Sequence, residues 1–154
     1  MKIMSILDPK CIILPLKGKE KKEIIRELID VLAQNKKIKE KDKEEVFKCV
    51  MEREKLGSTG VGLGVAIPHG RTQAVDRIVA ALGISPEGVE FDTLDGEPVH
   101  FAFLIVSPLE ATSDYLRAIS YVARLFKDKF FREALKNASS VEEAIKIIKQ
   151  EDNF

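Results

Sequence analysis

Two hydrophobic periods run along this chain and divide it into helices and strands. Ile24, Ile25, Leu28, Ile29 and Leu32 recur at helical spacing within Lys19 to Gln34, and Asn35 follows as a stop signal. A second helix is predicted over Glu40 to Glu54, with Val46, Phe47, Val50 and Met51 apolar and Gly57 just past its end. Ala111 to Lys127 carries the stripe Leu116, Ile119, Ala123 and Phe126, and Lys129 to Asn137 repeats the idea with Phe130, Phe131, Ala134 and Leu135. The last helix opens on a capping box, Ser140 to Glu143, ahead of Val141, Ala144, Ile145 and Ile148. Strands are predicted at Ile12 to Leu16, Arg77 to Ile84 and Val99 to Val106, the last two being continuous apolar runs that stop near Pro86 and Pro108. Glu87-Gly88 and Asp95-Gly96 mark turns on either side of a short strand, Val89 to Phe91. Strands that are apolar at consecutive positions bury both faces. The class is therefore α/β, a small mixed sheet with helices on both faces.

Composition narrows the partners. The 154 residues read as one domain, residues 1–154. Lys+Arg and Asp+Glu both number 25, so no net charge draws in nucleic acid or an anionic membrane surface. The basic clusters, Lys17 to Lys22 and Lys36 to Lys43, are interleaved with acidic residues and read as solvated helix faces. No apolar run approaches the roughly 18 residues of a membrane span, and Asp8-Pro9 falls where a signal peptide would continue its apolar core. Cys11 and Cys49 lack paired or metal-ligand spacing, which fits two structural thiols in a reducing cytoplasm.

The candidate chemistry is concentrated in one stretch. Five of the nine glycines fall between Gly57 and Gly70, in GSTGVGLGVAIPHG, which also delivers one of only two histidines. Glycines let a backbone approach a ligand closely, and Pro68 fixes the chain just before His69 at the end of the short run Val65 to Ile67. A dinucleotide fingerprint is excluded, because its third glycine would fall on Val65 and Pro68 arrives where a helix should begin. There is no G-x-x-x-x-G-K-[ST] motif, and nothing beside His69 has metal-ligand spacing, so neither a nucleotide cofactor nor a metal is expected. Arg53 continues the stripe Val46, Val50, so it is expected to face inward or towards the core edge, where a guanidinium needs a partner. It either satisfies carbonyls at its own helix end or clamps an anion held by the glycine segment. Ser58 and Thr59 add hydroxyl donors between the two. An arginine, hydroxyls and one imidazole suit a phosphoryl group carried on histidine. Neutral imidazole is nucleophilic, with an ordinary pKa of about 6.5, and positive charge stabilises the equatorial oxygens in transfer.

These residues resemble a known family. REKLGSTGVGLGVAIPHG (Arg53 to Gly70), DGEPVHFAFLIVSP (Asp95 to Pro108) and YLRAISYVARLF (Tyr115 to Phe126) are similar, in order, to the enzyme IIA components of the phosphoenolpyruvate-dependent sugar phosphotransferase system, fructose/mannitol type. The wording is most like the nitrogen-regulatory branch. The resemblance covers nearly the whole chain. It implies a mixed sheet flanked by helices, with His69 as phosphoacceptor and Arg53 contacting the phosphoryl group; Ser58, Thr59, Gly70 and Tyr115 complete the expected binding set. The family's second histidine, which supports the phosphorylated one, is Tyr115 here, before Leu116. A phenol donates a hydrogen bond but does not titrate near neutrality. His100, inside the VHFAFLIV strand, is expected to be structural.

The resemblance also supplies partners: a small phosphohistidine carrier protein as donor, and a IIB domain or a regulatory target as acceptor, with no cofactor. The expected protein is a cytoplasmic phosphocarrier. The 154 residues contain no IIB, IIC or carrier segment, which together with the nitrogen-branch wording favours regulation. Two alternatives stand beside it: a transport IIA passing phosphate to a IIB cysteine, and an interaction module whose phosphorylation has lapsed.

Overall fold

The most apolar run of the sequence, Val99–Ser107, is the axis of the fold. The structure, a computed structural model, describes residues 2–152. In chain order its strands are β1 (Leu7–Ile13), β2 (Gly60–Gly62), β3 (Val65–Ala66), β4 (His69–Arg71), β5 (Val79–Val89) and β6 (Val99–Ser107). The helices are α1 (Lys21–Gln34), α2 (Lys43–Leu56), α3 (Thr112–Leu125), α4 (Lys129–Lys136) and α5 (Val141–Glu151). The strands form one mixed sheet in the order β1-β5-β6-β3-β2, with β4 also on β6. β5 runs antiparallel to β6, while β3 and β4 follow one another along the other side of β6, both parallel to it.

Consecutive residues of β5 and β6 point to opposite faces, and Val79 to Ser85 and Phe101 to Ser107 are all buried, so both faces are covered. α1 and α2 pack on each other and on β5 and β4; α3, α4 and α5 pack on β6, β5 and β1. The expected architecture is the observed one.

Local differences have physical causes. The first strand is Leu7–Ile13 rather than Ile12 to Leu16. It includes Pro9, tolerated because β1 is an edge strand whose register with β5 shifts between Leu7 and Ile12. Val89 is not in a separate strand: β5 continues through Gly88 by way of an irregular register between Ile84 and Val89. The buried stripe of α3 is one residue out of phase with the expected one. Tyr115, Ala118, Tyr121, Val122 and Leu125 face inward, whereas Leu116 is 57% exposed. Two tyrosines decide this: each buries its ring, and the hydroxyl of Tyr121 donates to Asp152 at 2.5 Å. In α4, Phe131 and Leu135 are buried while Phe130 stands 84% exposed. Ser140 caps α5 by accepting from the Glu143 N–H at 3.1 Å, but the Glu143 carboxylate reaches back to Ser139 instead of closing the box on Ser140.

The glycine-rich segment is a β-hairpin, not an open loop. Leu63 and Gly64, both at positive φ (60° and 77°), turn the chain between β2 and β3, the backbone sign pattern of a type I′ turn. The Leu63 N–H is held by the Asp95 carboxylate at 3.2 Å. A Cβ at Gly60 would meet Thr93 Cγ2 at 2.5 Å, and one at Gly64 would meet His100 Cδ2 at 3.2 Å. These glycines admit the protein's own side chains rather than a ligand.

Candidate functional site

β3 and β4 are one strand broken at Ile67-Pro68, and that break places the imidazole. Pro68 has no N–H, yet its carbonyl still accepts the Ile105 N–H at 3.0 Å, so pairing with β6 resumes at once. Ile67 faces the other way. Its N–H donates to the Thr59 carbonyl at 3.0 Å, and its own carbonyl lies where the hairpin no longer runs alongside. The His69 ring closes onto it, with Nδ1 at 2.7 Å from the Ile67 oxygen. A carbonyl only accepts, so Nδ1 carries the proton and Nε2 keeps the lone pair. The tautomer is set by the backbone.

The neighbours come from α2 and α3. Tyr115, in the first turn of α3, meets the His69 ring edge-on, with centroids 5.7 Å apart. No hydrogen bond joins the Tyr115 hydroxyl to the other described residues. Burial pushes that phenol up to about 12 against the lowering effect of Arg71 and Arg53, so it remains a donor throughout the physiological range. Arg53, half-buried at the end of α2, donates from Nη1 to the Gly57 carbonyl at 2.8 Å. This is the helix-end role considered for it, and it occupies one of five guanidinium donors. The Arg53 charge also acts on both His69 and Tyr115.

Gly70 points the opposite way from His69, against α2, where a Cβ would lie 2.9 Å from Cys49 Sγ and 3.3 Å from Val50 Cγ2. Its bare backbone lets α2 press onto β4 and so fixes where Arg53 emerges. Ser58 Oγ accepts from the Gly60 N–H at 3.0 Å and lies 3.5 Å from the Phe91 carbonyl. Thr59 is buried, and its hydroxyl donates to the Glu54 carboxylate, so it is not a free donor between Arg53 and His69. The structure thus brings His69, Arg53 and Tyr115 together and gives Gly70, Ser58 and Thr59 supporting positions. His100 lies five residues along β6 from Ile105, the partner of His69, or about 16 Å at the rise of a strand. Its Nδ1 donates to the Ser85 carbonyl at 2.8 Å.

Two residues not singled out in the sequence belong to this assembly. Glu54 is the true inward position of α2, four residues beyond Val50, and its side chain is 2% exposed. It accepts from the Thr59 N–H at 3.2 Å and from the Thr59 hydroxyl, and it pairs with Lys21 Nζ at 3.0 Å. The signal was the continued stripe Val46, Val50, Glu54. Replacing Glu54 by alanine leaves the Thr59 donors and the Lys21 ammonium unmatched. We expect a loss of about 3 kcal/mol of folding stability, measured by urea denaturation. Arg71 is the other residue. It donates from Nη1 to Thr112 Oγ1 at 2.8 Å, and its guanidinium lies 5.5 Å from the centre of the Tyr115 ring.

Protonation favours a nucleophilic imidazole. Burial holds the His69 pKa below its ordinary 6.5, the Arg53 charge acting the same way, while the Ile67 hydrogen bond and Glu54 oppose them. Between the lowered folded value and 6.5 the unfolded chain binds more protons, so this group's effect on stability grows more favourable as pH rises through that window. Above it the effect is flat. His69→Gln is accordingly expected to lose less stability than wild type on acidification below pH 6.5, in denaturation midpoints taken across the window. The thiols are poorly suited to accept a phosphoryl group: burial raises Cys11 to about 11, and burial also raises Cys49, whose thiol donates to the Arg71 carbonyl at 2.9 Å.

No helix among the described residues is long and apolar enough to cross a membrane. Residues 5–151 match the family model described as phosphoenolpyruvate-dependent sugar phosphotransferase system, EIIA 2. A nitrogen regulatory protein of Bradyrhizobium diazoefficiens is 34% identical, over 88% of this chain and 87% of its own length. The PTS system fructose-specific EIIABC component of Bacillus subtilis is 36% identical over 99% of this chain, which spans only 24% of that protein. Among solved structures, the nitrogen regulatory protein IIA-Ntr of Neisseria meningitidis superposes with a TM-score of 0.85 at 38% identity, over 95% of this chain and 98% of that one. IIA mannitol of Escherichia coli, at 24% identity and a TM-score of 0.77 over 92% and 97% of the two chains, shares the fold. With the family model spanning nearly its whole length and relatives above 30% identity over most of it, the chain belongs to the EIIA 2 family of the phosphoenolpyruvate-dependent sugar phosphotransferase system.

Proposed function

We propose that this protein is a cytoplasmic phosphocarrier that takes a phosphoryl group onto Nε2 of His69 from the phosphohistidine of a small carrier protein. The observation that carries the reading is the Nδ1 bond to the Ile67 carbonyl, which leaves Nε2 as the nucleophile beside Arg53 and Tyr115. The Nε2 lone pair attacks phosphorus in line. The bond between phosphorus and the donor nitrogen breaks, and its electron pair returns to the donor imidazole, which takes up a proton as it leaves. Arg53 offers charge and hydrogen bonds to the equatorial oxygens, and the Tyr115 hydroxyl offers one more donor. Onward transfer goes to a regulatory target or to a IIB domain.

The regulatory use is favoured by likeness to nitrogen regulatory proteins of similar length. Transport is the second reading, supported by the fructose-specific relative, and for a mannitol-type neighbour by a structure described as a complex of enzyme IIAMTL with phosphorylated enzyme IIBMTL. The test is intact-mass spectrometry after incubation with phosphoenolpyruvate, enzyme I and the small carrier. One acid-labile, base-stable phosphoryl adduct is expected. No adduct with the cognate carrier would favour an interaction module without phosphorylation.

A further inference from the structure

We propose that Arg71 is a second guanidinium of the phosphoryl pocket, held on Thr112 and on the face of Tyr115 so that its free donors meet the group carried by His69. The inference rests on the reading of His69 as phosphoacceptor. Its first support is strand geometry: positions i and i+2 of a strand share a face, so His69 and Arg71 project together while Gly70 faces α2. Both side chains then converge on one ring. The His69 imidazole lies 5.7 Å and the Arg71 guanidinium 5.5 Å from the centre of Tyr115.

The second support is the tether. Thr112 opens α3, and its hydroxyl accepts from Arg71 Nη1 at 2.8 Å, which orients the guanidinium at the first turn that also carries Tyr115. That bond uses one of five donors, and among the described residues Arg71 makes no ion pair, so its charge is not neutralised. The third support is convergence of charge, since the Tyr115 hydroxyl lies within the fields of both Arg71 and Arg53. A dianion on Nε2 next to that hydroxyl would sit between two guanidinium cations.

The experiment uses phosphoramidate, a small donor that needs no partner protein. His69 Nε2 displaces ammonia from phosphorus, the broken P–N bond's electrons leaving with the nitrogen, and the rate of adduct formation and its hydrolytic lifetime are both followed. Arg71→Gln should slow formation or shorten the lifetime about tenfold, the scale of one charge-assisted hydrogen bond at an open site. Arg71→Lys, which keeps charge but not the fork, should fall between Arg71→Gln and wild type. Thr112→Val, which loosens the tether only, should give a smaller defect than Arg71→Gln. The proposal is overturned if Arg71→Gln matches wild type in both quantities, or if its defect only tracks a lowered melting temperature. Absence of any adduct in wild type with phosphoramidate overturns it together with the reading of His69. Adduct formation with phosphoramidate but not with the carrier protein would count against the proposed donor alone, and the Arg71 comparison would still be decided.

Discussion

His69→Gln is expected to abolish the phosphoryl adduct completely while leaving the fold intact. The loss is total because the substitution removes Nε2, the ring nitrogen whose lone pair the bond to the Ile67 carbonyl leaves free. The fold should survive because His69 is only partly buried, at the edge of the sheet. A stability change below about 1 kcal/mol is expected. The informative control is His100→Gln. His100 also donates from Nδ1 to a carbonyl, but its ring packs against Gly64 and Gly88. That variant should form the adduct at the wild-type rate and lose stability instead. Intact-mass spectrometry of both variants, beside their denaturation curves, separates a phosphoacceptor from a packing residue.

Arg53→Ala is expected to slow phosphoryl transfer to His69 by about 10² to 10³-fold, the effect of deleting one preorganised donor to a developing anion. Two jobs are lost at once. The bond from Nη1 to the Gly57 carbonyl caps α2, and its removal should cost about 1 kcal/mol of stability. The kinetic loss is larger, because the guanidinium charge also acts on His69 and Tyr115. Arg53→Lys separates the jobs: a point charge remains, the planar fork does not, and transfer should recover only in part. Quenched-flow phosphorylation, with stability measured in parallel, reads both. A rate loss no greater than the fraction of unfolded protein would reduce Arg53 to a helix cap.

The candidate phosphoacceptor, His69, stood out in the sequence because the features around it are adjacent: Pro68 before it, the short run Val65 to Ile67, and a motif reaching back to Arg53. The purpose of the glycines was not. Gly60, Gly62 and Gly64 lie against Thr93, Asp95 and His100, more than thirty residues away in the chain, and no local pattern reports such a contact. The phase of α3 was hidden for a different reason: tyrosine is apolar in its ring and polar at its tip, and here Tyr115 and Tyr121 outrank Leu116 for the inward face. Thr59 read as a donor for the pocket because Glu54 was not recognised as an inward carboxylate. Arg71 stands one residue beyond the motif, on a strand that the sequence reading did not carry past His69.

The most direct measurement is nitrogen NMR of the His69 ring before and after phosphorylation. The unphosphorylated ring at neutral pH is predicted to show a protonated Nδ1 and an unprotonated Nε2, and the phosphorylated ring a phosphorus coupling at Nε2. A proton on Nε2 in the free protein, or phosphorus bonded to Nδ1, would contradict the account.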